Sequence, residues 1–293
     1  MAIFFLTSSY ICYILLYDSL ILDRINMSIN ITELGPKEAQ FISLFATRNN
    51  GFFLIEEAVR FWGSRKLTRD ILWRLEKKGW IERIERGKYL IIPLEAGPQR
   101  RWSADSYLIA NFLVKPAAIS YWTAIRHWNW TEQIPRVVYI QTTMRKSRSS
   151  HRVFGVEYVI ITVSKKKFFG HTKEWRDGKA CLVTDKEKTL IDCADYVERS
   201  GSIVEIAKAV KEAARQISWS RLDEYTRRFP NGAVKKRLGY LFEKLVPELP
   251  EEANKMLEGW QQGLTKGICA LVPGGPKSGK ISTRWKVLIN MEI

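Results

Sequence analysis

The side chains in this sequence best placed for chemistry are cations spaced to meet a polyanion. In RKLTRDILWRLEK (residues 65–77), Arg65, Thr68, Arg69 and Trp73 share one side of a helix if Leu67, Ile71 and Leu75 take the other. Arginine is the commonest base reader in the DNA major groove, and the first residues of a recognition helix are those that reach base edges. Shortly after, Arg83, Arg86 and Lys88 lie on a hairpin-like stretch and suit the phosphates beside such a groove. A second basic run, Arg145, Lys146, Arg148 and Arg152, suits a duplex backbone of any sequence. Docking to an acidic partner and a plain solvated loop are the alternatives for that run.

Enzymatic constellations are weaker. Asp185, Glu187, Lys188, Asp192 and Asp195 resemble part of a metal nuclease, with Asp185, Glu187 and Asp192 as ligands. Asp185 equally reads as a helix N-cap, and metal-assisted phosphodiester chemistry needs carboxylates converging from several elements. GGPKSGK (residues 274–280) matches GxxxxGK, but Ile281 stands where a phosphate loop has Ser or Thr. A strand-like run follows it instead of a helix, so a turn is expected there. Trp122, Trp128 and Trp130 have the chemistry to stack on bases, yet their near-helical spacing beside Ile119 and Ile125 fits a core better. His127, His151 and His171 are scattered and read as packing or surface residues. The expectation is a protein without cofactor, metal or catalytic activity.

Composition supports the polyanion. The 293 residues carry 47 Lys and Arg against 31 Asp and Glu, a net charge of +16. Residues 96–180 alone hold fifteen basic and five acidic side chains, so the middle of the chain makes most of the field. At 46% apolar and 27% charged the chain is an ordinary globular one. Its four cysteines form no CxxC pair, which argues against a zinc finger or a disulfide scaffold and for reduced thiols in the cytoplasm.

The elements that must position these residues fall into three parts, which predict an α+β protein. Residues 1–32 form an apolar segment in which residues 3–22 carry Asp18 as their one charge. No basic stretch precedes it, so residues 1–26 read as an over-extended translation start before Met27, with an anchor or an extra packed element as alternatives. Residues 33–95 read as a winged helix-turn-helix. A helix from Pro36 to the stop Asn49-Asn50-Gly51 comes first, then the extended Phe52-Phe53-Leu54 and a helix over 55–62 closed by Gly63. Ser64 caps a third helix, and WIERIERGKYLIIP (residues 80–93) makes a hairpin with its turn at Glu85-Arg86-Gly87-Lys88. Residues 96–293 read as a larger mixed α/β domain with a helical C-terminal part. It has helices over 103–113 and 118–128, strands over 136–141, 154–162 and 180–183, and Lys165-Lys166-Lys167 after the second strand. Four helical segments over 186–257 and two closing strands, 267–272 and 283–289, complete it.

Several stretches of this second part resemble one known family. SYWTAIRHWNWTEQIPRVVYIQTTMRK (120–146), VTDKEKTLIDCADYVERSGSIVEIAKAV (183–210), NGAVKKRLGYLFE (231–243) and RWKVLIN (284–290) are similar to the antitoxin of the abortive-infection E (AbiE) system. The resemblance covers about residues 33–293. It implies a winged-helix transcriptional repressor that binds double-stranded DNA at inverted repeats upstream of its own operon. It also implies an antitoxin opposing a nucleotidyltransferase-like toxin without a stable complex, the type IV arrangement. A stand-alone regulator with no toxin is the alternative. The family is not an enzyme family, so no catalytic residue is implied, and the first 26 residues have no place in its pattern.

Overall fold

A computed structural model describes residues 34–97, 102 and 104–293. The expectations for the apolar N-terminal segment lie outside the described residues. The fold is α+β, in two compact units, one running through Ser103 and the other from Ala104.

In the first unit, Pro36 opens helix α1 (Pro36–Ala46), which buries Phe41, Ile42 and Phe45. The turn at Asn49-Asn50-Gly51 follows; Asn50 and Gly51 both have positive φ, which suits an asparagine–glycine pair. Strand β1 (Phe52–Leu54) leads into α2 (Ile55–Trp62) and, across the left-handed Gly63, into α3 (Arg65–Lys77). The Ser64 hydroxyl caps α3 by accepting from the Leu67 amide. Strands β2 (Ile81–Glu85) and β3 (Lys88–Ile91) form a hairpin around Arg86-Gly87, and β1 adds to the far side of β3. All pairing in this sheet is antiparallel, with an irregularity between Arg83 and Glu85. Phe41, Phe53, Leu72, Leu75, Trp80 and Tyr89 fill the core between helices and sheet.

The second unit is built on a mixed six-stranded sheet. Helix α4 (Ser106–Leu113) is followed by the two-residue strand β4 (Ala118–Ile119) and α5 (Tyr121–His127). Strands β5 (Val137–Thr142), β6 (Ser150–Val153), β7 (Val156–Thr162), β8 (His171–Arg176) and β9 (Lys179–Thr184) follow. The spatial order is β6-β7-β5-β4-β9-β8. β5 runs parallel to β7 and β4 parallel to β9, while the other neighbours are antiparallel. Beyond the sheet lie α6 (Lys186–Asp195), α7 (Ile203–Ala213), α8 (Trp219–Arg228), α9 (Ala233–Leu245) and α10 (Glu251–Gln262). α6 sits at the centre, with every residue from Glu187 to Ala194 buried against its neighbours. Three short strands, β10 (Cys269–Ala270), β11 (Lys280–Ser282) and β12 (Val287–Ile289), make a separate small sheet against α9.

Several expectations for this unit are corrected. Ala118 and Ile119 are strand, not the start of a helix, because both are buried and their backbone is paired on two sides, to β5 and β9. The helix begins only after Ser120. Five helices, not four, span 186–262, and the closing sheet has three strands, not two. β6 and β8, the two edge strands, were not anticipated; their half-exposed, polar sequences have no apolar alternation to read.

Candidate nucleic-acid interface

The residues expected to meet DNA are held mainly by α3, and its burial pattern decides which of them face outward. Thr68, Ile71, Leu72 and Leu75 are buried, the i, i+3, i+4, i+7 stripe of an amphipathic helix. Thr68 therefore does not face outward as expected: it is fully buried and donates its hydroxyl to the Ser64 carbonyl at 2.7 Å. Leu67 takes its place outside, 46% exposed. The i, i+4, i+8 spacing of Leu67, Ile71 and Leu75 drifts about 40° at each step on a helix of 3.6 residues per turn. Ile71 and Leu75 stay inside that stripe, and Leu67 rotates out of it.

The outward line of α3 is Lys66, Asp70, Trp73 and Lys77, with Arg69 beside it, all exposed. The Trp73 ring is 61% exposed, with the Lys77 ammonium 5.9 Å from its centre. Lys66 is the residue that sequence reasoning missed; once Thr68 is seen to be buried, a position two residues earlier falls on the opposite face. Arg65 lies toward the flank, 4.0 Å from Glu56 of α2. Arg74 is turned the other way and pairs with Glu38 of α1 at 3.4 Å.

On the hairpin, Arg83 and Arg86 are exposed. Lys88 is half-buried, its ammonium 3.2 Å from Glu85 across the turn. Gly87, with φ +80°, accepts from the Ile55 amide at the start of α2, so the hairpin tip is tied to the helix that precedes α3.

In the second unit the basic run is divided between a loop and a strand. Met144, Arg145, Lys146 and Arg148 occupy the loop after β5, whereas Arg152 is on the edge strand β6. Arg145, Arg148 and Arg152 are exposed. Lys146 is half-buried and donates to the Leu113 carbonyl at the end of α4, 3.3 Å away, so its role is to hold the loop. Arg148 spends its Nε on the Ser150 carbonyl at 2.7 Å and keeps the rest of its guanidinium in solvent. Because β5 and β7 are parallel, the loops after them leave the same end of the sheet. The Val163 amide donates to the Thr142 carbonyl at 2.8 Å, which continues the pairing into the loops. Arg145 and Arg148 and the exposed Lys165 and Lys166 thus lie in loops at the same end of the sheet, whereas Lys167 turns inward to Asp195 at 2.5 Å.

The carboxylates of the acidic cluster at α6 are each claimed by separate partners. Asp185 caps the helix by accepting from the Lys188 amide at 2.8 Å and also accepts from the Tyr225 hydroxyl at 2.9 Å. Glu187 accepts from the Ser218 amide at the start of α8, 2.6 Å away. Asp192 is buried against the fully buried Lys188 ammonium. Burial holds the Asp192 carboxyl above its usual range, and the neighbouring Lys188 charge opposes it. Among the described residues no group of three His, Cys, Asp or Glu side chains is placed to hold a metal ion.

Trp122, Trp128, Trp130 and His127 are packed. Trp130 is buried and Trp128 donates its indole N–H to the Thr184 carbonyl at 3.0 Å. His127 bridges the Tyr107 hydroxyl, 3.0 Å from Nδ1, and the Glu174 carboxylate, 3.5 Å from Nε2. The GxxxxGK segment is a turn leading into β11, and a Cβ at Gly279 would strike the Ile289 carbonyl. Among the described residues no helix is long and apolar enough to cross a membrane.

The fold has a solved counterpart. The crystal structure of the Rv2827c protein from Mycobacterium tuberculosis is similar to this chain with a TM-score of 0.60, over 87% of this chain and 92% of that one. The two sequences are 12% identical, so the likeness is one of fold. No family model and no curated protein matches this sequence.

Proposed function

We propose that this protein is a cytoplasmic, DNA-binding transcriptional repressor whose first unit is a winged helix-turn-helix. The observation that carries the reading is the exposed face of α3, where Lys66, Arg69 and Trp73 stand free of the core beside the exposed hairpin cations Arg83 and Arg86. Three helices followed by a hairpin, with the third helix capped and outward-facing, suit insertion of α3 into a major groove and of the hairpin against its phosphates. In the second unit, Arg145, Arg148, Lys165 and Lys166 add a sequence-independent phosphate surface, and Arg152 lies on the adjoining edge strand.

The resemblance to the AbiE antitoxin extends this to a biological role: autoregulation of its own operon and neutralisation of a nucleotidyltransferase-like toxin without a stable complex. A titration of the full chain against the DNA upstream of its own gene, beside a scrambled duplex and at two salt concentrations, tests the DNA reading. Salt-sensitive binding that prefers the upstream duplex is expected. Equal binding to both duplexes would overturn the repressor. Growth rescue on co-expression with a neighbouring gene that is toxic when expressed alone is the expected sign of the antitoxin, and unrelieved toxicity would overturn that part.

A further inference from the structure

The outward line of α3 has an acid at its middle. Asp70 is exposed, with the cations Lys66, Arg69 and Arg74 within one turn of it on the helix. Among the described residues it makes no hydrogen bond and no ion pair, and Arg74, which is spaced to meet it, pairs with Glu38 instead. A free carboxylate pressed against phosphates would oppose the cations around it. The face seats on a duplex only where Asp70 meets a hydrogen-bond donor, and in the major groove the donors are the amines of cytosine and adenine. Adenine carries the acceptor N7 on the same edge as its N6 amine, which would repel the second carboxylate oxygen. Cytosine carries a C–H beside its N4 amine and offers no such conflict.

We propose that Asp70 is a specificity-determining residue, which accepts a hydrogen bond from the N4 amine of one cytosine in the bound site and penalises duplexes without it. This rests on the DNA reading above. Its exposure and lack of partners make Asp70 dispensable for folding, so substitution there tests recognition alone.

The test is selection of bound duplexes from a pool with a randomised core, using the full chain and its Asp70→Asn variant at the same salt. Asparagine both donates and accepts, and pairs with adenine N6 and N7. The wild type is expected to select cytosine at one position, and Asp70→Asn to select adenine there by about tenfold over cytosine. The variant is also expected to bind random duplexes more tightly, because a negative charge has gone. If the wild type selects a sequence and the variant selects the same one, the Asp70 assignment is overturned and the DNA reading stands. If the wild type selects nothing, the DNA reading fails and this assignment fails with it.

Discussion

Thr162 donates its hydroxyl to the carbonyl oxygen of Met144 at 3.1 Å, joining the end of β7 to the loop that follows its parallel neighbour β5. Two basic runs separated along the chain, one around Arg148 and one at Lys165-Lys166, are brought to one end of the sheet by this bond and the parallel register behind it. Together they make one candidate phosphate surface.

That surface makes a prediction about salt. Arg148→Ala should weaken binding to all duplexes alike and lower the slope of log K against log salt by about 1, and Lys165→Ser with Lys166→Ser by about 2. Slopes measured on a preferred and a scrambled duplex check this. A loss confined to the preferred duplex would move these residues to base reading.

Arg69 should behave in the opposite way. Arg69→Ala is expected to cost about 1–3 kcal/mol on the preferred duplex and much less on random DNA, flattening the preference between them. Paired dissociation constants decide it, and equal losses on both duplexes would make Arg69 a backbone contact.

Thr68 tests the burial of α3. Its hydroxyl bonds the Ser64 carbonyl inside the unit, so Thr68→Val should lower stability by about 1 kcal/mol and leave the selected DNA sequence unchanged. Chemical denaturation and a binding profile of the same variant separate the two effects. Altered selection at full stability would return Thr68 to the reading face.

In the second unit, α9 and the C-terminal sheet meet at Gly239. A Cβ there would sit 2.1 Å from the Trp285 ring, and that ring is itself buried. Gly239→Ala is expected to destabilise the protein by about 3 kcal/mol through overpacking, despite alanine's higher helix propensity. A thermal melt at or above that of the wild type would show that the Trp285 side chain moves aside.

Acid should weaken the fold in part through His171. Burial, and then the Lys188 charge, hold this imidazole down to about 4. An unfolded histidine titrates near ~6.5. Between those values the unfolded chain takes up a proton that the folded chain does not, so stability falls as the pH drops through that window. Urea midpoints at about pH 7 and about pH 5 should therefore differ less for His171→Gln than for the wild type. An identical drop in both would remove His171 from the acid response.

Much of this was legible in the sequence because it depends on neighbours along the chain. The three helices and hairpin of residues 34–97 follow from Pro36, the Asn49-Asn50-Gly51 stop, Gly63, the Ser64 cap and the Arg86-Gly87 turn, each of which acts within a few residues of itself. The exposure of Arg69, Trp73, Arg83 and Arg86 was equally readable, since apolar periodicity locates a buried face to within a fraction of a turn.

What periodicity left open was settled by packing and pairing in the folded chain. The choice between Leu67 and Thr68 turns on which of two adjacent positions packs against the rest of the unit, and the hydroxyl of Thr68 can be buried because the Ser64 carbonyl accepts from it. The strand at Ala118–Ile119 exists because β5 and β9 pair with it from either side, a demand nothing local announces. Asp185, Glu187 and Asp192 look like one site in the sequence, yet Tyr225, Ser218 and Lys188 claim them separately. Composition and spacing by themselves determined that the chain carries an excess of cations and a helix that can present some of them. Which cations stay free depended on the tertiary structure, because a charged side chain is committed or left in solvent by the partners that folding brings to it.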